Sequence, residues 1–281
     1  MTGNLQSLFT EWDVPPAVTC ALVLTAIIYV RGWVRIRKTR APQFPVWRLA
    51  SFLGGVLALF VAVASPLDTF SESLLIMHMG QHFVFISIAP PLVLLGAPVV
   101  PLLRGLPTSI VRPVLGPIFR VPLIRQIAKF LIRPQVAWIA MNFSFVAWHI
   151  PKAYEFALSS EFWHNIEHLC FFATSVLFWW PVIEPWPSRP KYPRWLMIPY
   201  LVLADFVNTG VSAFLCFAGR LLYPSYGEVP RLFGLSALND QIAAGSFMWV
   251  FGSFVFLVPV IAITAQSLFA PHQKTFRPAV T

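Results

Sequence analysis

The feature that most constrains this chain is a series of continuous apolar segments, each close to the length of one membrane crossing. A helix needs about 20 apolar residues to span the hydrocarbon core, and it satisfies its own backbone hydrogen bonds in lipid. The runs are continuous and do not alternate with polar residues, which excludes the strands of a membrane barrel. Seven spans are predicted, at about 16–31, 48–66, 73–96, 134–150, 163–182, 195–219 and 240–263.

The composition excludes a soluble domain. Hydrophobic residues make up 57% of the 281 residues and charged residues only 11%, whereas soluble domains carry about 25% charged residues. The three cysteines, Cys20, Cys170 and Cys216, form no CxxC pair, so we interpret them as packing residues and not as a disulfide framework or a thiol copper relay. We therefore predict an all-α polytopic membrane protein in which residues 1–281 form a single membrane domain.

The basic residues predict the orientation of the chain. A net charge of +9 also occurs in nucleic-acid-binding proteins, but here the Lys and Arg residues follow the positive-inside rule. All but three of the 20 fall in the loops after the first, third and fifth spans or in the C-terminal tail, at Lys274 and Arg277. The exceptions are Lys152, Arg220 and Arg231. This predicts an outer N-terminus, a cytoplasmic C-terminus and no nucleic-acid partner.

Two other regions support the same topology. Glu11 and Asp13 precede the first span without any basic residue, which is not the pattern of a cleaved signal peptide. Residues 97–133 form the longest predicted cytoplasmic connection. One long helix is prevented there by prolines spaced among apolar residues and arginines, at Pro101, Pro107, Pro113, Pro117 and Pro122. We expect short helical pieces at the inner membrane interface there, with the arginines reaching anionic lipid head groups.

Five of the six histidines fall in or beside three of the predicted spans. With the predicted orientation, all five lie toward the outer side. Residues four apart share one helical face, so the third span offers the pair His78 and His82 and the fifth span offers His164 and His168. His149 ends the fourth span at the same level. Imidazole is the commonest metal ligand, and ionisable groups inside membrane spans are rarely idle.

Carboxylates and thioethers lie near these histidines. Asp240 opens the seventh span from the outer side, where both a metal-ligand role and a helix-capping role are open. Met77 and Met79 flank His78, but their angular offset favours packing. The predicted metal ligands are His78, His82, His149, His164, His168 and Asp240.

Several ordered motifs resemble the CtaG family of cytochrome c oxidase assembly factors, over about residues 45–260. In the third span they are Met77-His78-Met79-Gly80-Gln81-His82, Ala89-Pro90-Pro91 and Leu95-Gly96-Ala97-Pro98. In the fourth and fifth spans they are Trp148-His149-Ile150-Pro151, Phe162 through His168, and Phe178-Trp179-Trp180-Pro181. Further matches are Asp205 through Asn208, Gly219-Arg220 through Tyr223-Pro224, and Asp240-Gln241 with Gly245 and Met248-Trp249.

The resemblance implies a multi-pass protein of the bacterial cytoplasmic membrane. It implies a role in maturation of a haem-copper terminal oxidase of the respiratory chain, with copper delivery as the usual hypothesis. The expected partners are a cytochrome c oxidase subunit, a copper donor on the outer side and membrane lipid. We expect an assembly role and not catalysis, with copper in the histidine cluster, although an all-nitrogen ligand set also suits zinc.

Three alternatives remain open from the sequence. His164, Glu167 and His168 fit the H-x-x-E-H pattern of a zinc hydrolase, in which Glu167 would activate water. In the assembly hypothesis, Glu167 would instead orient a histidine. One histidine from the third span and one from the fifth would also serve as axial ligands of haem. The third alternative is a chaperone without metal.

Overall fold

The structure, a computed structural model, describes residues 12–269, and all regular structure within that range is helical. Glu11, Lys274 and Arg277, used above for the orientation, lie outside the described residues. Seven long helices are numbered in chain order: α1 Pro16–Arg40, α2 Val46–Ala64, α3 Leu75–Leu95, α4 Pro134–His149, α5 Glu161–Ile183, α6 Met197–Phe217 and α7 Ala237–Phe269. Each coincides with one of the predicted apolar spans.

Short helices connect the long ones. Between α3 and α4 the prolines break the chain into pieces, as predicted. The α-helical pieces there are Val99–Gly105, Thr108–Ile110, Gly116–Arg120 and Pro122–Leu131, with a π-helical turn at Val111–Leu115. The other short helices are Pro66–Thr69, Pro151–Leu158 and Ser225–Glu228, and 3-10 turns occur at Ala41–Gln43 and Arg194–Leu196.

Six of the described helices are each long and apolar enough to cross a membrane. The exception is α4, whose 16 residues fall short of the length that one crossing requires. Together with Pro122–Leu131 it forms a pair bent by 68°, which is either a broken span or a re-entrant segment. The described helices thus show six candidate spans, and the seventh span and the orientation of both ends stay predictions.

The described residues form one principal core, one lateral cluster and a small third cluster of Phe70, Leu74 and Leu232. Helices α3 to α7 share the principal core, to which Met79, Phe171 and Met248 contribute. The lateral cluster joins α1 to α2 through Tyr29 and Phe52, whose rings stack at 3.7 Å. The histidine-bearing helices α3, α4 and α5 therefore lie in the principal core, away from α1.

Prolines inside α3 create a contact with α5. Pro90 lacks the N–H that would bond the carbonyl of Ile86 four residues earlier. The helix widens into a π-helical turn over Val84–Ile88, and the indole Nε1 of Trp179 on α5 donates to the Ile86 oxygen at 3.1 Å. The proline therefore helps to fix α3 against α5, the two helices that carry the histidine pairs.

Candidate metal centre

The four paired histidines meet inside the bundle, where the first half of α3 faces the first half of α5. One ring nitrogen from each of His78, His82, His164 and His168 lies within 4.8 Å of the others. We call these residues the four-histidine cluster. All except the half-buried His164 are buried. The structure thus brings together both of the same-face pairs that the sequence indicated.

Two helix caps fix where α3 and α5, the helices that carry the four histidines, begin. The carboxylate of Asp240 on α7 accepts hydrogen bonds from the backbone N–H groups of Leu75 (2.7 Å) and Ile76 (3.1 Å), and so caps α3 from a neighbouring helix. Ser160 caps α5, where its hydroxyl oxygen accepts from the Trp163 N–H at 3.4 Å. Both caps satisfy N–H groups that a helix start leaves unpaired, which fixes where α3 and α5 begin.

The hydrogen bonds of Tyr226 determine which ring nitrogen of His78 is unprotonated. The Tyr226 hydroxyl donates to the Ser71 carbonyl at 2.8 Å, so it can only accept from its other partners. His78 Nδ1, 3.0 Å away, must then carry the proton, which leaves Nε2 unprotonated, where it accepts a hydrogen bond from His82 Nε2 at 2.8 Å. A hydrogen bond from the remote nitrogen is the usual way to orient a metal-binding imidazole.

The phenols around this histidine keep their protons. The Tyr154 hydroxyl lies 3.0 Å from that of Tyr226, and its ring packs 5.1 Å from the His78 ring. Burial raises the pKa of both Tyr154 and Tyr226 above the ordinary range of a phenol. Both hydroxyls therefore stay neutral, and the bond that sets the tautomer of His78 persists through the physiological pH range.

Glu167 lies directly against the cluster. Its side chain is 0% exposed, its Oε1 is 3.7 Å from His82 Nε2, and neither oxygen has a hydrogen-bond partner among the described residues. A carboxyl group in such a place either takes up a proton or pairs with a positive charge. A divalent or monovalent cation among the four imidazoles would supply that charge.

Two predicted ligands lie outside the cluster. His149 contributes no nitrogen to the group whose ligand atoms lie within 4.8 Å of one another, and the ring of Phe171 packs against the imidazoles of His149 and His82. Both oxygens of Asp240 are occupied by the cap on α3. The capping role that the sequence left open for Asp240 is therefore the one that the structure shows, although the capped helix is α3 and not α7.

The cluster fits a metal ion by its chemistry. The Nε2 atoms of His164 and His168 are buried and have no hydrogen-bond partner in the described chain. In a tetrahedral shell, metal–nitrogen bonds of about 2.0–2.1 Å place the four nitrogens about 3.4 Å apart, so the widest pair would have to approach by at most about 1.5 Å to bind one ion. The ring centroids lie only 4.2–6.1 Å apart, and no porphyrin fits between them. The packing thus favours a bare ion over haem.

A sequence profile of the family described as Cytochrome c oxidase caa3 assembly factor (Caa3_CtaG) matches residues 27–268, nearly the whole chain. The chain belongs to this family. The resemblance carried by the histidine motifs is thereby confirmed. The matched region contains every residue of the four-histidine cluster, together with Asp240 and Tyr226.

Curated relatives come from mycobacteria. An uncharacterised protein of Mycobacterium leprae (strain TN) is 24% identical over 278 residues, covering 98% of this chain and 42% of the relative. Uncharacterised proteins of Mycobacterium bovis and Mycobacterium tuberculosis are each 24% identical over 267 residues, covering 94% of this chain and 40% of the relative. The chain therefore spans about two fifths of the length of these relatives. No solved structure matches it.

Sequence reasoning missed the tyrosines of the site. Tyr226 lies 148 positions from His78 along the chain, in a short helix between α6 and α7, and no motif marked it. The same holds for Tyr154, which lies in the connection between α4 and α5. The only available signal was the density of tyrosines in connections that are predicted to be on the outer side.

Proposed function

We propose that this protein holds copper in the four-histidine cluster and supplies it to a subunit of a haem-copper cytochrome c oxidase during assembly. The observation that carries the proposal is the convergence of four imidazole nitrogens, two of them without hydrogen bonds, inside a chain of this family. The assembly would take place in the bacterial cytoplasmic membrane. The oxidase subunit and an outer-side copper donor are the partners that this function requires.

The ligand set supports holding a metal more than it supports catalysis. Catalytic metal sites keep one position open for water or substrate, and closed sites use four protein ligands. Four imidazoles would complete a tetrahedral shell and leave no such position. Copper is the metal that the target enzyme needs, and imidazole is one of its common ligands.

Zinc-dependent hydrolysis is the second candidate, and one observation favours it. The Glu167 carboxylate, on the same helix as His164 and His168, lies free of hydrogen bonds beside the cluster. In a hydrolase it would take a proton from a metal-bound water, whereas in a copper-holding protein it would balance the charge of the ion. Replacement of Glu167 by Gln separates the roles, because it would abolish hydrolysis while leaving the four nitrogen ligands in place.

Complementation of a strain that lacks this gene tests the assembly role. Cells would carry the wild-type protein, the His78→Ala/His168→Ala double variant, or the control variant His272→Ala, which changes the sixth histidine. The oxidase purified from each strain would be analysed for copper and haem. We expect the double variant to yield oxidase with normal haem and much reduced copper, partly restored by copper added to the medium. Full copper loading by a double variant that is present at a normal level in the membrane would refute the proposal.

A further inference from the structure

Three methionines and two histidines line a small cavity in the bundle. The cavity, about 30 Å³ in volume, lies between α3, α4, α6 and α7. A space of this size accommodates a metal ion or one to two waters. Its lining residues include Met79, Met141 and Met248 together with His82 and His149. We call this space the methionine cavity.

The imidazole of His149 presents a free lone pair at this cavity. Its Nδ1 lies 2.7 Å from the Phe145 carbonyl, which can only accept, so Nδ1 carries the proton. Nε2 is then the unprotonated nitrogen, and it has no hydrogen-bond partner in the described chain although the residue is 3% exposed. A buried, unpaired acceptor is costly unless something binds it.

Three methionines from three different helices line this one cavity. Of the five methionines among the described residues, three line this one cavity, and all three are buried. They come from α3, α4 and α7, three separate helices. Met197 is equally buried in the principal core but does not line the cavity. Thioether sulfur is a soft ligand that selects Cu(I) over zinc and over Cu(II).

His82 links the two groups of ligands. Its Nε2 belongs to the four-histidine cluster, and the same residue lines the methionine cavity. Its other nitrogen, Nδ1, is buried and has no hydrogen-bond partner among the described residues. His82 is therefore shared by the four-histidine cluster and the lining of the methionine cavity.

We infer that the methionine cavity is a second metal site, selective for Cu(I), with His149 Nε2 and the thioethers of Met79, Met141 and Met248 as its donors. The inference rests on the proposed copper function for its biological meaning, but none of its proposed donor atoms belongs to the four-histidine cluster. This second site would provide, within the same bundle, the soft sulfur ligands that an all-histidine site lacks. Copper would then be held at two neighbouring positions.

Anaerobic Cu(I) titration of the detergent-purified full chain, in competition with a chromophoric Cu(I) chelator, tests this site. The test variant is Met79→Leu/Met141→Leu/Met248→Leu, since exchange of Met for Leu nearly conserves volume. The control is Met77→Leu/Met197→Leu. We expect the test variant to bind one Cu(I) fewer than the wild type and to lose sulfur scattering in X-ray absorption, with the control unchanged. Thermal unfolding verifies that both variants are folded.

The outcomes separate this inference from the proposed function. Unchanged stoichiometry in the triple methionine variant, or absorption spectra of the wild type with nitrogen scatterers alone, would overturn the methionine site. Failure of the wild type to bind any Cu(I) would also overturn it. If His78→Ala/His168→Ala leaves copper binding intact while the triple methionine variant lowers it, the proposed four-histidine function fails and the methionine site stands.

Discussion

At the scale of single residues, the hydroxyl of Tyr226 orients His78 for metal binding. The Tyr226→Phe variant removes the acceptor for His78 Nδ1–H without changing the ring that fills the core. Because loss of such a partner costs 10-fold to 100-fold in metal affinity, we expect copper affinity to fall by about that factor. Competition titration measures it.

A matched tyrosine provides the control for this prediction. The Tyr200 hydroxyl donates to the Phe178 carbonyl at 3.0 Å, and Tyr200 belongs to neither group of metal ligands. Tyr200→Phe should therefore leave the affinity unchanged. Equal affinities for Tyr226→Phe and the wild type would show that Tyr226 does not position His78.

Asp240 is a second residue whose role can be measured. Its carboxylate caps α3, so Asp240→Asn should lower the free energy of unfolding by about 1.5–3 kcal/mol, as expected for hydrogen bonds to a charged group. We expect a lower melting temperature and an unchanged number of bound metal ions. The control is Asp205→Asn, since Asp205 accepts one hydrogen bond, from Ser253 at 2.8 Å. A loss of bound metal at an unchanged melting temperature would instead assign Asp240 as a ligand.

At the scale of the helices, close contact fixes α1 against Val99–Gly105. A Cβ on Gly32 would lie 1.8 Å from the Pro101 carbonyl oxygen, so the two backbones touch. We expect Gly32→Ala to force them apart and to cost about 1–3 kcal/mol of stability. Gly210→Ala is the control, because no atom lies within 4 Å of the added Cβ. Thermal melts of the two variants measure the difference, and equal melting temperatures would contradict this packing.

The helices were predictable where the apolar run alone determines them. Their ends were less so: α1 continues to Arg40, nine residues beyond the predicted span, because a helix need not stop at the edge of the apolar run. The pairing of His78 with His82 and of His164 with His168 followed from helical periodicity. Two features were not predictable: the cap that Asp240 provides for α3 and the cavity lined by three methionines. Both depend on how neighbouring helices rotate and pack against one another, and local sequence patterns do not reveal that packing.

At the scale of the whole molecule, the charge pattern predicts which end of the bundle holds the metal centre. We expect a fluorescent protein fused after Thr281 to fluoresce in the cytoplasm, and alkaline phosphatase fused after Lys152 to be active on the outer side. The basic connection at 97–133 would then face the cytoplasm, and the four-histidine cluster would open outward. The reverse reporter pattern would place the cluster on the cytoplasmic side and contradict an outer copper donor.

The central claim is that the four-histidine cluster binds copper. Elemental mass spectrometry of the detergent-purified protein, wild type against His78→Ala/His168→Ala, tests it most directly, with a visible spectrum recorded on the same samples. We expect about one equivalent of copper for each occupied site in the wild type, a loss of about one equivalent in the double variant, and no haem absorption in either. Equal copper in both proteins, or stoichiometric zinc without copper, would contradict the claim.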